Sequence, residues 1–169
     1  MELKKLITGM VIAILICPAV SVSGRTKKTK AAGQEMLTTI QRFMSYVTEK
    51  AKEQKEIELL AEVIYHENWH TDKDKLTARW TGAVVMNRVK SKQFPNTVEE
   101  VLYQKNPTQY STTCKFFTVE LPKECYEMAA DIYRNGTPEV PENVLYQATF
   151  SQGKLWKKLN GEYFCFGGK

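Results

Sequence analysis

The chain has 169 residues, with 24 basic and 19 acidic side chains and a net charge of +5. Four of the excess cations, Arg25, Lys27, Lys28 and Lys30, sit in one short tract, so the remainder is electrically balanced and lacks the basic face that nucleic acid requires. The length suits one domain with a true core and excludes two comfortable ones.

The N-terminus reads as an export signal over residues 1–23. "MELKK" supplies two lysines, and the apolar run "LITGMVIAILICPAV" is shorter than the roughly 20 residues a spanning helix needs, with Pro18 near its end. Small residues at Ala19, Ser21 and Ser23 suit cleavage after Ser21 or Ser23; an uncleaved anchor is the alternative, and both leave the working part outside the cytoplasm. Bulky Ile16 and the following Pro18 argue against a lipoprotein site at Cys17. Removing residues 1–23 takes two lysines and one glutamate, leaving 22 basic against 18 acidic residues, or +4. Residues 24–32 then form a basic linker. Three cysteines remain, Cys114, Cys125 and Cys165, permitting three single pairings, of which Cys114 with Cys125 closes the shortest loop.

From residue 33 to 55, Met36, Leu37, Ile40, Phe43, Met44 and Val47 recur at steps of three and four, predicting an amphipathic helical extension that packs on the domain. The charged "EKAKEQKE" marks a break before a second helix, "IELLAEVIYHENWH". A third, "KLTARWTGAVVMNRVKS", is read as buried, with Gly82 and Ala83 admitting a close neighbour. "FPNTVEEVLYQ" is a short helix capped at Asn96 or Thr97. "LPKECYEMAADIYRNGTP" is another, opened by Pro122 and stopped by Asn135, Gly136 and Pro138. Only "NVLYQATF" and "GEYFCFG" look extended, and they are short enough to pair as a small sheet. The fold class is α+β, mainly α, with a small antiparallel β element near the C-terminus and a catalytic domain over residues 56–169.

The segment "YHENWH" holds His-Glu-x-x-His: His66, Glu67 and His70. Counting about 100° per residue, Glu67 falls between Leu60 and Val63 on the apolar stripe, whereas Glu58 and Glu62 fall on the side expected to meet water. A carboxyl held against apolar groups loses hydration of its charged form, so its pKa rises from about 4.3 toward the range useful to a general acid. The competing reading is a zinc peptidase, with two imidazoles on one ion and Glu67 as base. No third histidine exists, so a further ligand would have to come from another helix.

From Glu58 to the C-terminus the chain resembles the cell wall hydrolase family that includes the spore-cortex-lytic enzymes. "ELLAEVIYHEN" resembles the family's opening helix, "TGAVVMNRVKS" its second helix ending in Asn-Arg-Val, and "FPNTVEEVLYQ" the next segment. "TQYS" resembles its Gln-aromatic-Ser loop, "VLYQATF" its Leu-Tyr strand and "NGEYFCFG" its closing strand. The resemblance implies a lysozyme-like helical domain, peptidoglycan glycan strands as partner, no cofactor, and Glu67 as the catalytic acid of a lytic transglycosylase. It also implies that Gln109, Tyr110 and Tyr146 line the glycan groove, while Asn87 either hydrogen-bonds near Glu67 or caps its own helix. "NWHTDKDKL" replaces the family's usual Gly-Glu-Pro-like run, His66 its Ala, and Tyr163 its frequent His.

The lytic route needs one carboxylate, because the sugar's own 6-hydroxyl closes the anhydro ring. Hydrolysis needs a second, and in sequence only Asp72 and Asp74 lie near; a "DKD" loop after a helix is usually a solvated turn, which favours the lytic route. Trp69, Trp80 and Trp156 are sugar-stacking or core residues. Besides the zinc peptidase, the alternative is a protein that binds cell wall without turnover.

Overall fold

The structure, a computed structural model, describes residues 26–105 and 108–168, with side chains from residue 33 onward. The expected export signal, residues 1–23, and the start of the expected linker lie outside them. The architecture is α+β and mainly helical, with one small antiparallel sheet at the C-terminal end.

Helix α1 (Thr26–Asn68) runs through "EKAKEQKE" without the expected break. That stretch is built from Glu, Lys, Ala and Gln, all strong helix formers, and contains neither Gly nor Pro. Lys50 and Glu53 at 2.6 Å and Gln54 and Glu58 at 2.9 Å pair along its surface. The chain divides inside this helix into two compact units, the first ending at Tyr46 and the second beginning at Val47. In the first, Met36, Leu37, Phe43 and Met44 are exposed.

In the second unit, α1 supplies Ile57, Leu60, Val63 and Ile64 to the core, all essentially inaccessible. Helix α2 (Leu76–Lys90) follows. Its N-terminus is capped by Asp72, whose Oδ2 accepts from the Thr77 amide at 3.0 Å and the Thr77 hydroxyl at 3.1 Å. The loop acid is therefore structural, and the neighbouring Asp74 is exposed. Eleven residues of α2 are buried, as its sequence predicts, because it is packed on two sides. Ala78, Val85 and Met86 join α1, α3 (Val98–Leu102) and α4 (Lys123–Asn135) in one cluster. Trp80, Ala83 and Val84 join Val140, Val144 and Phe164 in another. Gly82 admits this closeness: a Cβ there would lie 2.8 Å from the terminal carbons of both Ile64 and Ile132.

Strands β1 (Val144–Ala148), β2 (Leu155–Leu159) and β3 (Glu162–Phe166) form the sheet in the order β1-β3-β2, antiparallel throughout. Asn160 and Gly161, with φ of 49° and 91°, make the β2–β3 turn, where positive φ at both positions matches the strand twist. The Asn160 amide donates to Asp72 and Thr77, pinning the turn to the start of α2. Strand β2, "LWKKL", was not expected; its mostly exposed, lysine-bearing face marks a sheet edge. Cys114, Cys125 and Cys165 are all free thiols, so the short loop is not closed. Burial pushes the Cys125 thiol up to about 12.

The end of α2 is fastened to β1 by two adjacent side chains. Asn87 donates to the Pro141 carbonyl at 2.9 Å and the Val144 carbonyl at 3.1 Å, and Arg88 Nε donates to the Leu145 carbonyl at 2.7 Å. The β1–β3 register shifts between Val144 and Tyr146, so Arg88 meets β1 at a bulge. Asn87→Ala removes the amide that donates to both carbonyls, leaving Pro141 with only the Val144 amide. It should lower the unfolding free energy by about 1–3 kcal/mol, read from urea denaturation with an unchanged m-value.

Candidate active site

Glu67 lies in the last turn of α1, one step beyond the inaccessible Ile64 and Val63, and is half-buried. Its Oε1 accepts a 2.6 Å hydrogen bond from the Thr112 hydroxyl, in the short 3-10 turn Ser111–Lys115. Glu67 opens into a cleft of about 430 Å3 between the end of α1, the loop at residues 108–110 and the sheet. Gln109, Tyr110 and Tyr146 line it, together with Gln147 on β1 and Glu162 on β3. Four of the five residues singled out from sequence thus share one cavity. The fifth, Asn87, does not: it is buried and fully engaged in holding β1, so the expectation of a bond near Glu67 is corrected.

The Glu67 carboxyl is pushed above its ordinary range, chiefly because burial strips water from its charged form. The Thr112 hydrogen bond opposes this, Glu162 adds to it by like-charge repulsion, and Lys115 and His66 pull the other way. Tyr110 is almost wholly buried, with its ring 5.2 Å from the Arg88 guanidinium. Burial raises its phenol, against the pull of Arg88 and with a small push from Glu67.

The two imidazoles take no part in the cleft. His66 Nε2 lies 3.3 Å from Glu62 Oε2 in a nearly inaccessible pair, and His70 is exposed. Tyr65 packs edge-on between them, 5.2 Å from each ring. Glu62, expected to meet water, is only 1% exposed because α4 covers that side of α1: the Cys125 thiol there donates to the Ala61 carbonyl at 3.4 Å. Among the described residues no three His, Cys, Asp or Glu side chains converge to hold a metal ion. Successive residues on a helix diverge by about 100°, so Glu67 and His66 face different surroundings. Trp69 and Trp80 are core residues, and Trp156 packs 4.8 Å from Trp80.

The cell wall hydrolase family profile matches residues 73–164, more than half of the chain. The chain belongs to the cell wall hydrolase family. The match carries this hydrolase through Gln109, Tyr110, Tyr146 and Glu162, and begins six residues after Glu67. No curated protein and no solved structure matches the chain.

Sequence reasoning missed Thr112 and Glu162. Thr112 follows the quoted "TQYS" loop, and nothing in "STTCK" singles out one hydroxyl. Glu162 opens the aromatic strand "EYFCF", where one carboxylate next to a buried-aromatic pattern is the available signal. In this hydrolase Thr112→Val removes a donor that favours the charged carboxylate. The Glu67 titration should therefore move to higher pH, followed by carbon NMR of the side-chain carboxyl, with no change in fold by circular dichroism.

Proposed function

We propose that the protein cuts the glycan strands of peptidoglycan with Glu67 as general acid. Membership of the family makes cell-wall degradation the coarse function; the step is carried by one observation, a carboxyl half-buried at the head of a cleft and held above its ordinary pKa. Such a group keeps its proton until a glycosidic oxygen approaches, then donates it as the bond breaks through an oxocarbenium-like state. The cleft walls offer what a sugar chain needs: amides from Gln109 and Gln147, and the half-buried aromatic ring of Tyr146.

The lytic route asks only for Glu67. Once charged, the same carboxylate takes the proton of the sugar's 6-hydroxyl, which closes on the anomeric carbon and leaves an anhydro end. The reading also places the protein outside the cytoplasm, where its substrate lies; no helix among the described residues is long and apolar enough to cross a membrane. The zinc peptidase reading draws no support from a histidine buried beside Glu62 and another at the surface.

The acid must be protonated, so cleavage should fall as pH rises through the raised Glu67 pKa. Glu67→Gln keeps shape and packing but cannot donate a proton. It should reduce release of soluble fragments from purified sacculi by about 10²–10⁴-fold, with the thermal midpoint nearly unchanged. Wild-type turnover in that variant would refute the assignment, and so would loss of wild-type activity to a chelator with recovery on adding zinc.

A further inference from the structure

Two polar atoms of the cleft residues are left unpaired by the protein. Tyr110 Oη and Gln147 Oε1 are shielded from water and have no hydrogen-bond partner among the described residues. Several side chains carry such an atom, but Tyr110 and Gln147 are the two that line the Glu67 cavity. A buried donor or acceptor left empty is costly, so its retention in a site points to a partner that arrives with the ligand. The two atoms are complementary. Gln147 Nε2 donates to Glu162 Oε2 at 3.5 Å, which orients the amide and leaves Oε1 as an acceptor. Tyr110, only 5% exposed and packed at 5.2 Å from the Arg88 guanidinium, supplies a fixed O–H donor. One donor and one acceptor on one cavity match a secondary amide, whose carbonyl accepts and whose N–H donates.

Peptidoglycan offers secondary amides of two kinds, the acetamido group on C2 of each sugar and the peptide amides of the stems. Position favours the first. Tyr110 lies close enough to Glu67 for the carboxylate charge to act on its phenol. C2 is the neighbour of the anomeric carbon at which Glu67 would cut, whereas the stem begins beyond the lactyl group on C3. Resting on the reading of Glu67 as the acid, we infer that Tyr110 and Gln147 bind the acetamido group of an N-acetylated amino sugar. Tyr110 Oη donates to its carbonyl and Gln147 Oε1 accepts its N–H, so cleavage requires the strand to be N-acetylated. Removing the acetyl group leaves an ammonium, which keeps a donor for Gln147 but has no carbonyl for Tyr110. Glu162, bonded to Gln147, attracts that ammonium, so discrimination rests on the stranded hydroxyl and not on charge. A reaction that hydrolyses the acetamido groups of the strand would therefore protect it from cleavage.

The test compares four preparations of purified sacculi: untreated, chemically N-deacetylated, N-deacetylated and then re-acetylated with acetic anhydride, and stripped of stem peptides by an amidase. Cleavage is counted as new chain ends by mass spectrometry. Wild-type kcat/KM should fall about 10–100-fold on N-deacetylated strands, recover on re-acetylation and change little when stems are removed. Tyr110→Phe deletes only the hydroxyl. It should lower kcat/KM on untreated sacculi about 10-fold, become nearly indifferent to deacetylation, and raise the thermal midpoint, because a buried unpaired group is gone. A purely structural hydroxyl would lower that midpoint and leave the acetylation preference intact. Equal wild-type cleavage of acetylated and deacetylated strands, an undiminished preference in folded Tyr110→Phe, or a loss on stem removal alone would each overturn the acetamido subsite and leave Glu67 standing. Undiminished cleavage by Glu67→Gln would sink the underlying reading instead, and sedimentation of that variant with the same four preparations would still decide whether acetamido groups are bound.

Discussion

The cleft depends on one buried cation. Arg88 is 2% exposed, and its guanidinium lies over three aromatic rings, Phe94 at 5.1 Å, Tyr110 at 5.2 Å and Tyr146 at 5.9 Å. Its Nε takes the Leu145 carbonyl at the β1 bulge, while Nη1 is buried without a hydrogen-bond partner. A charge removed from water is costly unless its surroundings compensate, and here the faces of three rings provide attraction in place of a carboxylate. The consequence is geometric. Helix α2, strand β1 and the loop bearing Tyr110 must approach the same guanidinium, so Tyr110 and Tyr146 arrive together on the cleft wall. Asn87, beside it, secures the same strand through two carbonyls. The Asn-Arg pair ending α2 is thus an architectural device that shapes the site without lining it.

Against that fixed wall, the chemistry of Glu67 comes from position along α1. A helix that ends one residue later, at Asn68, leaves Glu67 half in the core and half in the cleft. The Asn68 amide donates to Thr81 at 2.9 Å within the protein, which holds the helix end against α2 and keeps Glu67 from swinging free. Burial and the Thr112 hydroxyl then act in opposite directions on the carboxyl, and burial is the larger effect. Within the His-Glu-x-x-His string, His66 is buried beside Glu62, four residues earlier on the same helix, and His70 is exposed.

Much of this was legible in the chain. The apolar stripe of Ile57, Leu60 and Ile64 placed Glu67 at the edge of the core, and small residues in α2 announced a buried helix with a close neighbour. The aromatic runs predicted β1 and β3, and the loop resemblance pointed to Gln109 and Tyr110, which line the same cavity as Glu67. What could not be read was whatever depended on partners distant in sequence. Glu62 looked solvent-facing because a helical wheel registers one helix and knows nothing of α4 covering its other side. Strand β2 was hidden by its lysines, since an edge strand needs no alternating apolar pattern. The break expected at "EKAKEQKE" treated charge as a helix terminator, although a terminator needs Gly, Pro or a capping residue. Asn87 was assigned to the site because its neighbourhood resembled a site motif; its side chain meets carbonyls 54 and 57 residues away.

The same limit accounts for the second acid. Proximity along the chain offered only Asp72 and Asp74, read as a solvated turn, and the fold uses Asp72 to cap α2 and to hold the Asn160 turn. That use is what sets Glu162 in place, because the turn it anchors is the one from which β3 begins. An acid near in sequence thus serves the acid that faces the cleft, and the carboxylate count of the site is a property of the β2–β3 hairpin.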